Sequence, residues 1–568
     1  MHETLNPAQR AAVTAADGPV VIIAGPGTGK TKTLTARVQH LLATKQATPQ
    51  QILALTFTKK AAEEMRTRVG PAGKRADILT FHALCHDVLG GEFSFISEAA
   101  RLQLIKQLPR PASLKGLSVR EVALRISRAK NMADDDPDVR RLTRAYTHAL
   151  EASELADFDD LLTRTKTLLE SDPTARAAIQ SRYTHILVDE FQDTNLLQYE
   201  LLKSLRGNDN VFVIGDPEQS IYGFRGASGD IFAQFAADFP KHTAVTLTTN
   251  YRSAPEIVRL SNSIASAAPD LEPNDHAGTG IVQAVCVLNE YSEAAWVVRE
   301  IQRAIGGGDM LAAVSDDDAR VHRSLRDFAV VYRSRSAAVT VQKAMEQSGL
   351  PYQVAGDGSP YDTPVLQSLI ALMRASITQG TPPLEGFSAA EQRALRDLLG
   401  DAKHAVPKVL GEKLVRMLGL QQEPGVQQFL QTLVGYTDIQ TAIAYFDAIA
   451  EQGFYDPQAD AVTLLTIHAS KGLEFPYVFL VGAEEGLLPH ARADQAEERR
   501  LFYVAATRAK ERLDIMYTHS RGGQPATASR FVRDVPDAVL PKRTDPRFAA
   551  DQQRVRLKVI KKSQQSLF

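Results

Sequence analysis

The sequence predicts an α/β protein of several domains, built around parallel β-sheets. Its 568 residues exceed the ~250–300 residues that a single hydrophobic core usually supports. Short apolar runs of strand length alternate with amphipathic stretches of helix length, which is the pattern of βαβ units. Hydrophobic residues make up 44% of the chain and charged residues 23%, so a disordered or collagen-like protein is excluded.

The first α/β domain is predicted from residues 1–85 and 177–246. An apolar run at 20–23 meets a glycine-rich turn, and an amphipathic helix is expected at 30–42. The other elements predicted here are strands at 52–57, 185–188, 211–214 and 244–247, and a helix at 59–69. Residues 86–176 show helical periodicity only, with helices at 119–132 and 159–169, and we interpret them as a helical insertion. Ser118 and Glu121 form a capping-box pattern at the start of the helix at 119.

The second α/β domain is predicted from residues 247–376 and 458–540. Its strands are expected at 281–287, 328–332, 462–467 and 478–481. Residues 377–457 are again helical and predict a short second insertion. The tail at 541–568 is polar and basic, so we expect it to be flexible.

Charge and cysteine content restrict the possible partners and compartment. The chain has 65 Lys and Arg against 67 Asp and Glu, so nucleic-acid binding would have to use local basic patches. Two cysteines, Cys85 and Cys286, fit a reducing compartment and exclude a cysteine-rich zinc site. The N-terminal sequence lacks a signal-peptide pattern, and no apolar run has the ~20 residues of a membrane span. These features predict a cytoplasmic protein with no membrane partner.

The strongest motif is AGPGTGKT at 24–31, between a predicted strand and a predicted helix. Gly25, Gly27 and Gly29 let backbone N–H groups surround a triphosphate, and the helix N-terminus adds positive potential. Lys30 would reach the β- and γ-phosphates, and the Thr31 hydroxyl would bind Mg²⁺. A chance glycine-rich turn is the alternative, but the strand–loop–helix context favours ATP and Mg²⁺ as cofactors.

A pair of carboxylates follows the predicted strand at 185–188. Asp189 could hold Mg²⁺, and Glu190 could polarise an attacking water. A solvent-exposed acidic strand end is the alternative. The phosphate-binding loop upstream in the same chain favours the catalytic interpretation.

The motifs DEFQD at 189–193 and GDPEQSIY at 215–222 resemble those of the Rep/UvrD-type superfamily 1 DNA helicases. The resemblance extends over nearly the whole chain to about residue 520. It implies an α/β fold with two RecA-like P-loop NTPase motor domains, each carrying a helical insertion. It also implies a set of nucleotide-site residues: Gln9 contacting the base, Gln219 sensing the γ-phosphate, Tyr251 stacking on adenine, Arg252 approaching the γ-phosphate, Glu474 contacting the ribose and Arg508 as an arginine finger.

DNA contacts are expected from aromatic and basic residues in the same motifs. Aromatic side chains in a polar channel stack on bases without reading sequence. The candidates are Phe57, His82, Tyr222, Phe224, Arg225 and His468. Arg120, Arg125, Arg128 and Lys130 on the first insertion either follow a DNA backbone or form an ordinary solvated helix face, and the sequence leaves both interpretations open.

The resemblance implies an ATP-dependent DNA helicase or translocase that acts on single-stranded DNA and single-strand–duplex junctions, in repair, replication or recombination. Movement in the 3′→5′ direction rests on the resemblance alone. A translocase that mainly displaces proteins from DNA is an alternative. A non-catalytic ATP-gated scaffold is disfavoured because Glu190, Gln219 and Arg508 are present. A helicase–nuclease is also disfavoured, because the tail after 541 offers no α/β pattern and no evident carboxylate cluster.

The sequence QQSLF at 564–568 resembles the short peptide with which bacterial proteins dock on the sliding clamp. Gln564 would fix the register, while Leu567 and Phe568 would enter an apolar pocket. A chance match, or a Phe568 that folds back onto the second domain, is the alternative. The short second insertion implies weak regulation and limited processivity on long duplexes.

Overall fold

The computed structural model describes most of the chain, with short gaps. The described residues are 5–71, 73–90, 93–132, 134–223, 226, 230–266, 269–306, 323–356, 363–378, 388–400, 405–421, 423, 425–452 and 455–548. They form two compact units. The first contains the described residues up to Val282 together with Pro489–Arg512 and Arg530–Pro541, and the second contains the rest.

A six-stranded parallel sheet forms the centre of the first unit. Its strands are β1 (Val20–Ala24), β2 (Ile52–Thr56), β3 (Asp77–Thr80), β4 (His185–Val188), β5 (Val211–Gly215) and β6 (Thr243–Leu247). Their order is β3-β2-β4-β5-β1-β6, and every neighbouring pair is parallel. Ile22 in β1 pairs with Ile214 and Val245 on its two sides. The predicted α/β class with parallel sheets is confirmed.

Helices cover both faces of this sheet. The helices up to Val282 are α1 (Pro7–Val13), α2 (Lys30–Ala43), α3 (Lys59–Val69), α4 (Phe81–Leu89), α5 (Glu98–Gln107), α6 (Val119–Lys130), α7 (Pro137–Ala152), α8 (Phe158–Ser171), α9 (Pro173–Arg182), α10 (Leu196–Leu205), α11 (Ile231–Asp238) and α12 (Pro255–Ile264). Side chains alternate along the strands, so Ile22 packs in a core with α1 to α3, while Val21 packs in a core with α4, α8, α10 and α11. Two short strands, β7 (Thr249–Asn250) and β8 (Glu272–Pro273), pair in parallel.

Helices α5 to α7 have a hydrophobic core of their own. It includes Ile105, Val122, Leu142 and Leu150. Three side chains of α8, by contrast, lie in the core of the sheet, namely Leu161, Leu162 and Leu169. The helical segment is therefore joined to the sheet through α8.

The basic residues of α6 differ in burial and in their ion pairs. Lys130 has only 3% of its side chain exposed, and its Nζ donates to Asp157 at 2.9 Å and to Asp160 at 2.7 Å. Arg125 forms ion pairs with Asp134 and Asp136. Lys130 is thus a buried structural residue, and the interpretation that it follows a DNA backbone is wrong. Arg120 is exposed.

A seven-stranded sheet forms the centre of the second unit. Its strand order is β11-β12-β10-β13-β14-β9-β17. The strands are β9 (Ile281–Val287), β10 (Phe328–Tyr332), β11 (Tyr352–Ala355), β12 (Val462–Thr466), β13 (Phe475–Val481), β14 (Ala509–Thr518) and β17 (Lys542–Thr544), with β15 (Ser520–Arg521) and β16 (Gln524–Pro525) forming a separate hairpin. Strands β10 to β13 are joined by parallel pairs.

The remaining helices are α13 (Glu290–Ala304), α14 (Arg335–Gln347), α15 (Pro364–Thr378), α16 (Ala389–Gly400), α17 (Pro407–Met417), α18 (Val426–Leu433), α19 (Ile439–Gln452), α20 (Gln495–Ala506) and α21 (Arg530–Arg533). Helices α15 to α19 share a separate core that runs from Leu366 to Phe446. No helix within the described ranges is both long enough and apolar enough to cross a bilayer.

Candidate active site and nucleic-acid interface

The carboxyl ends of the parallel strands in the first sheet gather the candidate residues at one edge. The glycine-rich loop follows β1, the Asp189–Glu190 pair follows β4, and Asp216 follows β5. Phe57 follows β2, and His82 lies two residues beyond the end of β3. In open parallel sheets, ligands bind at this edge. The topology therefore brings the nucleotide candidates and the nucleic-acid candidates of the first unit together.

The phosphate-binding loop requires glycine at two positions. Gly27 and Gly29 have φ angles of +71° and +85°, which L side chains rarely adopt. A Cβ atom on Gly27 would lie 2.7 Å from Cβ of Arg252 and 2.8 Å from Oδ1 of Asn250, and one on Gly29 would lie 2.8 Å from Nε2 of Gln9. Nζ of Lys30 donates to the Ala24 and Gly25 carbonyls at 3.1 and 3.2 Å, so the ammonium points into the loop.

Gln9 holds the loop from one side. Its side chain is buried, with Nε2 donating to the Thr28 carbonyl at 2.9 Å and Oε1 accepting from the Asn6 N–H at 3.2 Å. Asn6 in turn caps α1 and donates through Nδ2 to the Tyr251 hydroxyl at 2.9 Å. The predicted base-contacting residue Gln9 and the predicted stacking residue Tyr251 are therefore linked through Asn6.

The segment after β7 closes over the same loop. The Tyr251 N–H donates to the Gly27 carbonyl at 2.9 Å, and Nδ2 of Asn250 donates to the Pro26 carbonyl at 2.9 Å. Oδ1 of Asn250 accepts from the Arg252 and Ser253 N–H groups at 2.8 and 2.9 Å. This arrangement leaves the Tyr251 ring 48% exposed beside the loop. The sequence analysis assigned no role to Asn250, although the Asn-Tyr-Arg-Ser pattern permits such a side-chain turn.

The carboxylate pair lies in a constrained turn. Asp189 is buried, and burial together with the Glu190 charge raises the pKa of Asp189, while Lys30 acts in the opposite direction. Glu190 has φ +49°, which is uncommon for a residue other than glycine and is frequent at functional sites. The Gln192 side-chain amide donates to the Glu190 carboxylate, and its Oε1 accepts from the Asp216 N–H at 2.9 Å.

Gln219 belongs to the turn after β5. Its Nε2 donates to Oδ2 of Asp216 at 2.7 Å, and both side chains are buried. Burial raises the pKa of Asp216, and the Lys30 charge lowers it. Hydrogen bonds thus connect Glu190, Gln192, Asp216 and Gln219 in one series.

The oxygen ligands near the loop fit a magnesium ion. Mg²⁺ is usually held by one or two carboxylates together with substrate phosphates and water. Thr31 is the second residue of α2. Desolvation and the nearby Glu190 charge disfavour the ionised form of Asp189, and a divalent cation beside it would stabilise that form. Within the described part of the chain there is no group of three or more His, Cys, Asp or Glu side chains that could hold a metal.

Arg508 lies just beyond the end of α20 and groups with the first unit. Its guanidinium is 1% exposed, with Nε donating to the Val504 carbonyl at 2.9 Å and Nη2 to the Thr507 hydroxyl at 3.1 Å. Burial and the charges of Asp216 and Glu218 raise the pKa of Tyr503, and Arg508 lowers it. The charges of Arg508 and Asp216 therefore both act on the Tyr503 hydroxyl, in opposite directions.

Phe57 and Tyr222 form an aromatic pair at the sheet edge. Their rings are stacked with centroids 5.2 Å apart and planes 13° apart, and Phe57 is 36% exposed. A cavity of about 150 Å³ lies beside them, lined by Thr56, Phe57, Thr80, Phe81, His82, Asp189, Glu190, Thr194 and Gln198. The cavity wall therefore contains the DNA candidates Phe57 and His82 together with the candidate metal ligand Asp189 and the candidate catalytic residue Glu190.

His82 lies on the cavity wall beside the Phe158 ring. Burial lowers the pKa of His82 more than the Asp159 charge raises it, so the imidazole is mostly neutral at pH 7. It lies edge-on to the Phe158 ring, with centroids 6.3 Å apart. Phe158 is 62% exposed and stacks on Phe95 at 4.9 Å. The sequence analysis missed Phe158, whose signal is an aromatic residue within the acidic run Asp-Phe-Asp-Asp.

Two of the remaining candidates belong to the second unit, and the other five lie outside the described residues. His468 and Glu474 belong to the second unit, where both lie between β12 and β13. Phe224 and Arg225 lie outside the described residues, as do Gln564, Leu567 and Phe568. The roles assigned to all of them stay predictions.

Comparisons with known proteins show what this arrangement resembles. Residues 5–240 match the family described as UvrD/REP helicase N-terminal domain, and residues 245–380 and 429–520 match the UvrD-like helicase C-terminal domain. The ATP-dependent DNA helicase PcrA of Bacillus subtilis is 29% identical over 649 aligned positions, which cover 94% of this chain and 86% of the relative. The ATP-dependent DNA helicase UvrD1 of Mycobacterium bovis is 30% identical, over 96% of this chain and 86% of its own length.

Proposed function

This chain belongs to the UvrD/Rep family of ATP-dependent DNA helicases, and we propose that it moves 3′→5′ along single-stranded DNA and opens duplexes at single-strand–duplex junctions. The observation that carries the proposal is the single sheet edge of the first unit. There the phosphate-binding loop and the carboxylates of the Asp189–Glu190 pair share one border with the aromatic pair Phe57 and Tyr222. The 3′→5′ direction is supported only by the resemblance of the motifs.

For the chemical step, we assign each polar group at this edge a role in ATP hydrolysis. Lys30 stabilises charge on the β- and γ-phosphates, and Glu190 orients and polarises the attacking water. Gln219 senses the γ-phosphate, and the hydrogen bonds through Asp216 and Gln192 connect it to Glu190. Arg252 and Arg508 supply positive charge to the transferring phosphoryl group, a role that suits the permanently charged, planar guanidinium. Gln9 and Tyr251 hold the adenine, and Glu474 of the second unit would contact the ribose.

A bound Mg²⁺ would neutralise phosphate charge and orient the γ-phosphoryl group. Thr31 and Asp189 are the residues that would hold it. The support is the buried carboxylate of Asp189, whose charged form gains most from a nearby cation.

On the DNA side, we propose that bases stack on Phe57, Tyr222 and Phe224. His82, Arg225 and His468 would contact sugar and phosphate. Stacking is tolerant of sequence because every base has a π-face, which suits a motor that must pass along any strand. We propose that the protein acts on DNA in the nucleoid, during repair, replication or recombination.

The test is ATP hydrolysis measured with and without single-stranded DNA. We expect strong stimulation by DNA in the wild type and loss of hydrolysis in Lys30→Ala. Lys241→Ala is the matched control, because Lys241 is an exposed lysine of the same unit. Equal rates of wild-type hydrolysis with and without single-stranded DNA would contradict the proposal.

A second candidate function is a translocase that displaces proteins from DNA and unwinds duplexes poorly. It is favoured by the small helical core of α15 to α19, which spans only Leu366 to Phe446. The 649 aligned positions against a chain of 568 residues also show that the Bacillus subtilis relative carries segments that this chain lacks. Unwinding and protein displacement, compared at equal ATP turnover, distinguish the two functions.

We further propose that residues 564–568 dock on a bacterial sliding clamp. The support is the pattern of Gln564, Leu567 and Phe568 after a polar, basic tail. Such a tether would raise the local concentration of the motor at replication or repair sites without altering the motor itself. Deleting 564–568 should abolish binding to purified clamp and leave DNA-stimulated hydrolysis intact. Equal clamp binding by the truncated and full chains would contradict the proposal.

A further inference from the structure

Asn131 joins three elements of the first unit through one buried side-chain amide. It is the residue after α6 and is 3% exposed. Its Nδ2 donates to the Ser127 carbonyl at 2.9 Å and to Oδ1 of Asp159 at 2.7 Å. Its Oδ1 accepts from Nδ2 of Asn195 at 2.9 Å. The amide therefore bonds α6, the first turn of α8 and the start of α10 at the same time.

The bond to Asn195 connects Asn131 to the segment that begins at Glu190. Asn195 caps α10 through a reciprocal pair of bonds with Gln198. The turn immediately before it contains Asp193 and Thr194, and that turn follows Glu190 directly. Thr194 and Gln198 line the 150 Å³ cavity together with Glu190. Displacement of Asn195 would therefore move the turn that presents the proposed general base.

The bond to Asp159 connects Asn131 to the His82–Phe158 corner, where the two rings lie edge-on to each other. Asp159 follows the exposed Phe158 ring, and its Oδ2 accepts from the Ser127 hydroxyl at 2.6 Å. Its charge acts on His82, which also lines the cavity. A nucleic acid that contacts Phe158 or His82 would therefore act on the first turn of α8, to which Asn131 is bonded.

We infer that Asn131 is a positioning residue that transmits DNA contact at the His82–Phe158 corner to the turn carrying Glu190. This inference rests on the proposed function, because it concerns DNA stimulation of the same hydrolysis. An asparagine suits the position because it offers a donor to the Asp159 carboxylate and an acceptor to the Asn195 amide. Alanine provides neither group, and aspartate would place two carboxylates in contact. Coupling of this kind is a free-energy difference between sites, so it is measurable by mutation.

The experiment compares Asn131→Ala with the wild type in three measurements: hydrolysis without DNA, affinity for a single-stranded oligonucleotide, and maximal DNA-stimulated hydrolysis. We expect the first two to stay within about twofold. Maximal stimulation should fall about tenfold, the factor that corresponds to about 1.4 kcal/mol of lost coupling. A merely structural role would instead lower oligonucleotide affinity and the urea midpoint.

Two further variants make the test decisive. The exchange N131D/D159N reverses the amide–carboxylate pair and keeps a donor opposite an acceptor between these two side chains and toward Asn195. It also removes the donor to the Ser127 carbonyl, so it should regain only part of the stimulation. Asn210→Ala is the control, because it removes a different side-chain bond of the same unit, to the Gly18 N–H at 2.8 Å.

The inference is overturned if Asn131→Ala keeps wild-type stimulation, if stimulation falls only together with oligonucleotide affinity, if Asn210→Ala loses as much, or if the exchange variant recovers nothing. A wild type that DNA does not stimulate would instead contradict the proposed function itself.

Discussion

Among single residues, Gln192 links Glu190, the proposed hydrolytic carboxylate, to Gln219, the proposed phosphate sensor. Its nitrogen donates to Glu190, and its oxygen accepts from the Asp216 N–H. Asp216 also accepts from Gln219. Because all four groups are at least partly buried, these bonds are worth more than exposed ones, and a shift at one end is felt at the other. A γ-phosphate at Gln219 would in this way influence the carboxylate that orients water.

The first prediction at this scale concerns Glu190→Gln. Glutamine has nearly the same shape and can still accept from the Gln192 amide, but it cannot take a proton from water. Hydrolysis should fall by about 10²–10⁴-fold, the usual contribution of a general base, while ATP binding persists. Turnover and nucleotide affinity measure the two effects separately. Glu151→Gln, at an exposed glutamate of α7, is the control, and a Glu190→Gln enzyme with wild-type turnover would refute the assignment.

The second prediction concerns Tyr222→Ala. Tyr222 stacks on the exposed Phe57 ring, so its removal deletes half of the aromatic pair. Affinity for a single-stranded oligonucleotide should fall by about 1–3 kcal/mol for the lost base stack, as measured by fluorescence anisotropy. Tyr291→Ala is the control, because Tyr291 is a 69% exposed tyrosine that is not among the proposed DNA-contacting residues. If both variants bind equally well, Tyr222 is a structural residue.

Single residues also show what the sequence can and cannot predict. Lys30 and Asp189 could be proposed as site residues because each belongs to a short local pattern. Asn250 could not, because its partner carbonyl belongs to Pro26, 224 positions away. Phe158 was missed because exposure of an aromatic ring depends on the packing of α4 and α8, which no local pattern records.

At the element scale, local chemistry fixed several boundaries. Ser118 and Glu121 form the predicted capping box, and α6 begins at Val119 as expected. Strand β14 was missed, although it lies within the seven-stranded sheet. Its first four residues, Ala-Lys-Glu-Arg, include three charged side chains and obscure the buried run Leu-Asp-Ile-Met that follows. Local apolar periodicity therefore failed to identify a strand that begins with a charged run.

The prediction at this scale concerns the buried ion cluster that joins α6 to α8. Lys130→Ala would leave the buried carboxylates of Asp157 and Asp160 without their shared cation. Removing one partner of a buried ion pair typically costs about 3–5 kcal/mol. We therefore expect a clearly lower urea midpoint than for Lys106→Ala, a control at an exposed lysine of α5. Equal midpoints would show that Lys130 is not a structural residue.

At the scale of the whole molecule, spatial contacts group the chain differently from the linear order of the motifs. The first compact unit includes the described residues from 248 to Val282 and the segment Pro489–Arg512. Ser253 and Ala254 explain part of this grouping, because they bond the Ala509 and Lys510 carbonyls. Contacts between segments 256 residues apart are invisible in local periodicity. The two α/β motor domains were predictable, and the predicted domain boundaries stay a prediction.

We propose above all that ATP hydrolysis at the first sheet drives 3′→5′ movement that opens duplex DNA. The most direct measurement is unwinding of one duplex carrying either a 3′ or a 5′ single-stranded tail, with ATP and Mg²⁺, using the wild type and Glu190→Gln. If this proposal is correct, the wild type unwinds the 3′-tailed duplex faster than the 5′-tailed duplex, and Glu190→Gln unwinds neither. Preferential unwinding of the 5′-tailed duplex, or unwinding by Glu190→Gln at the wild-type rate, would contradict it.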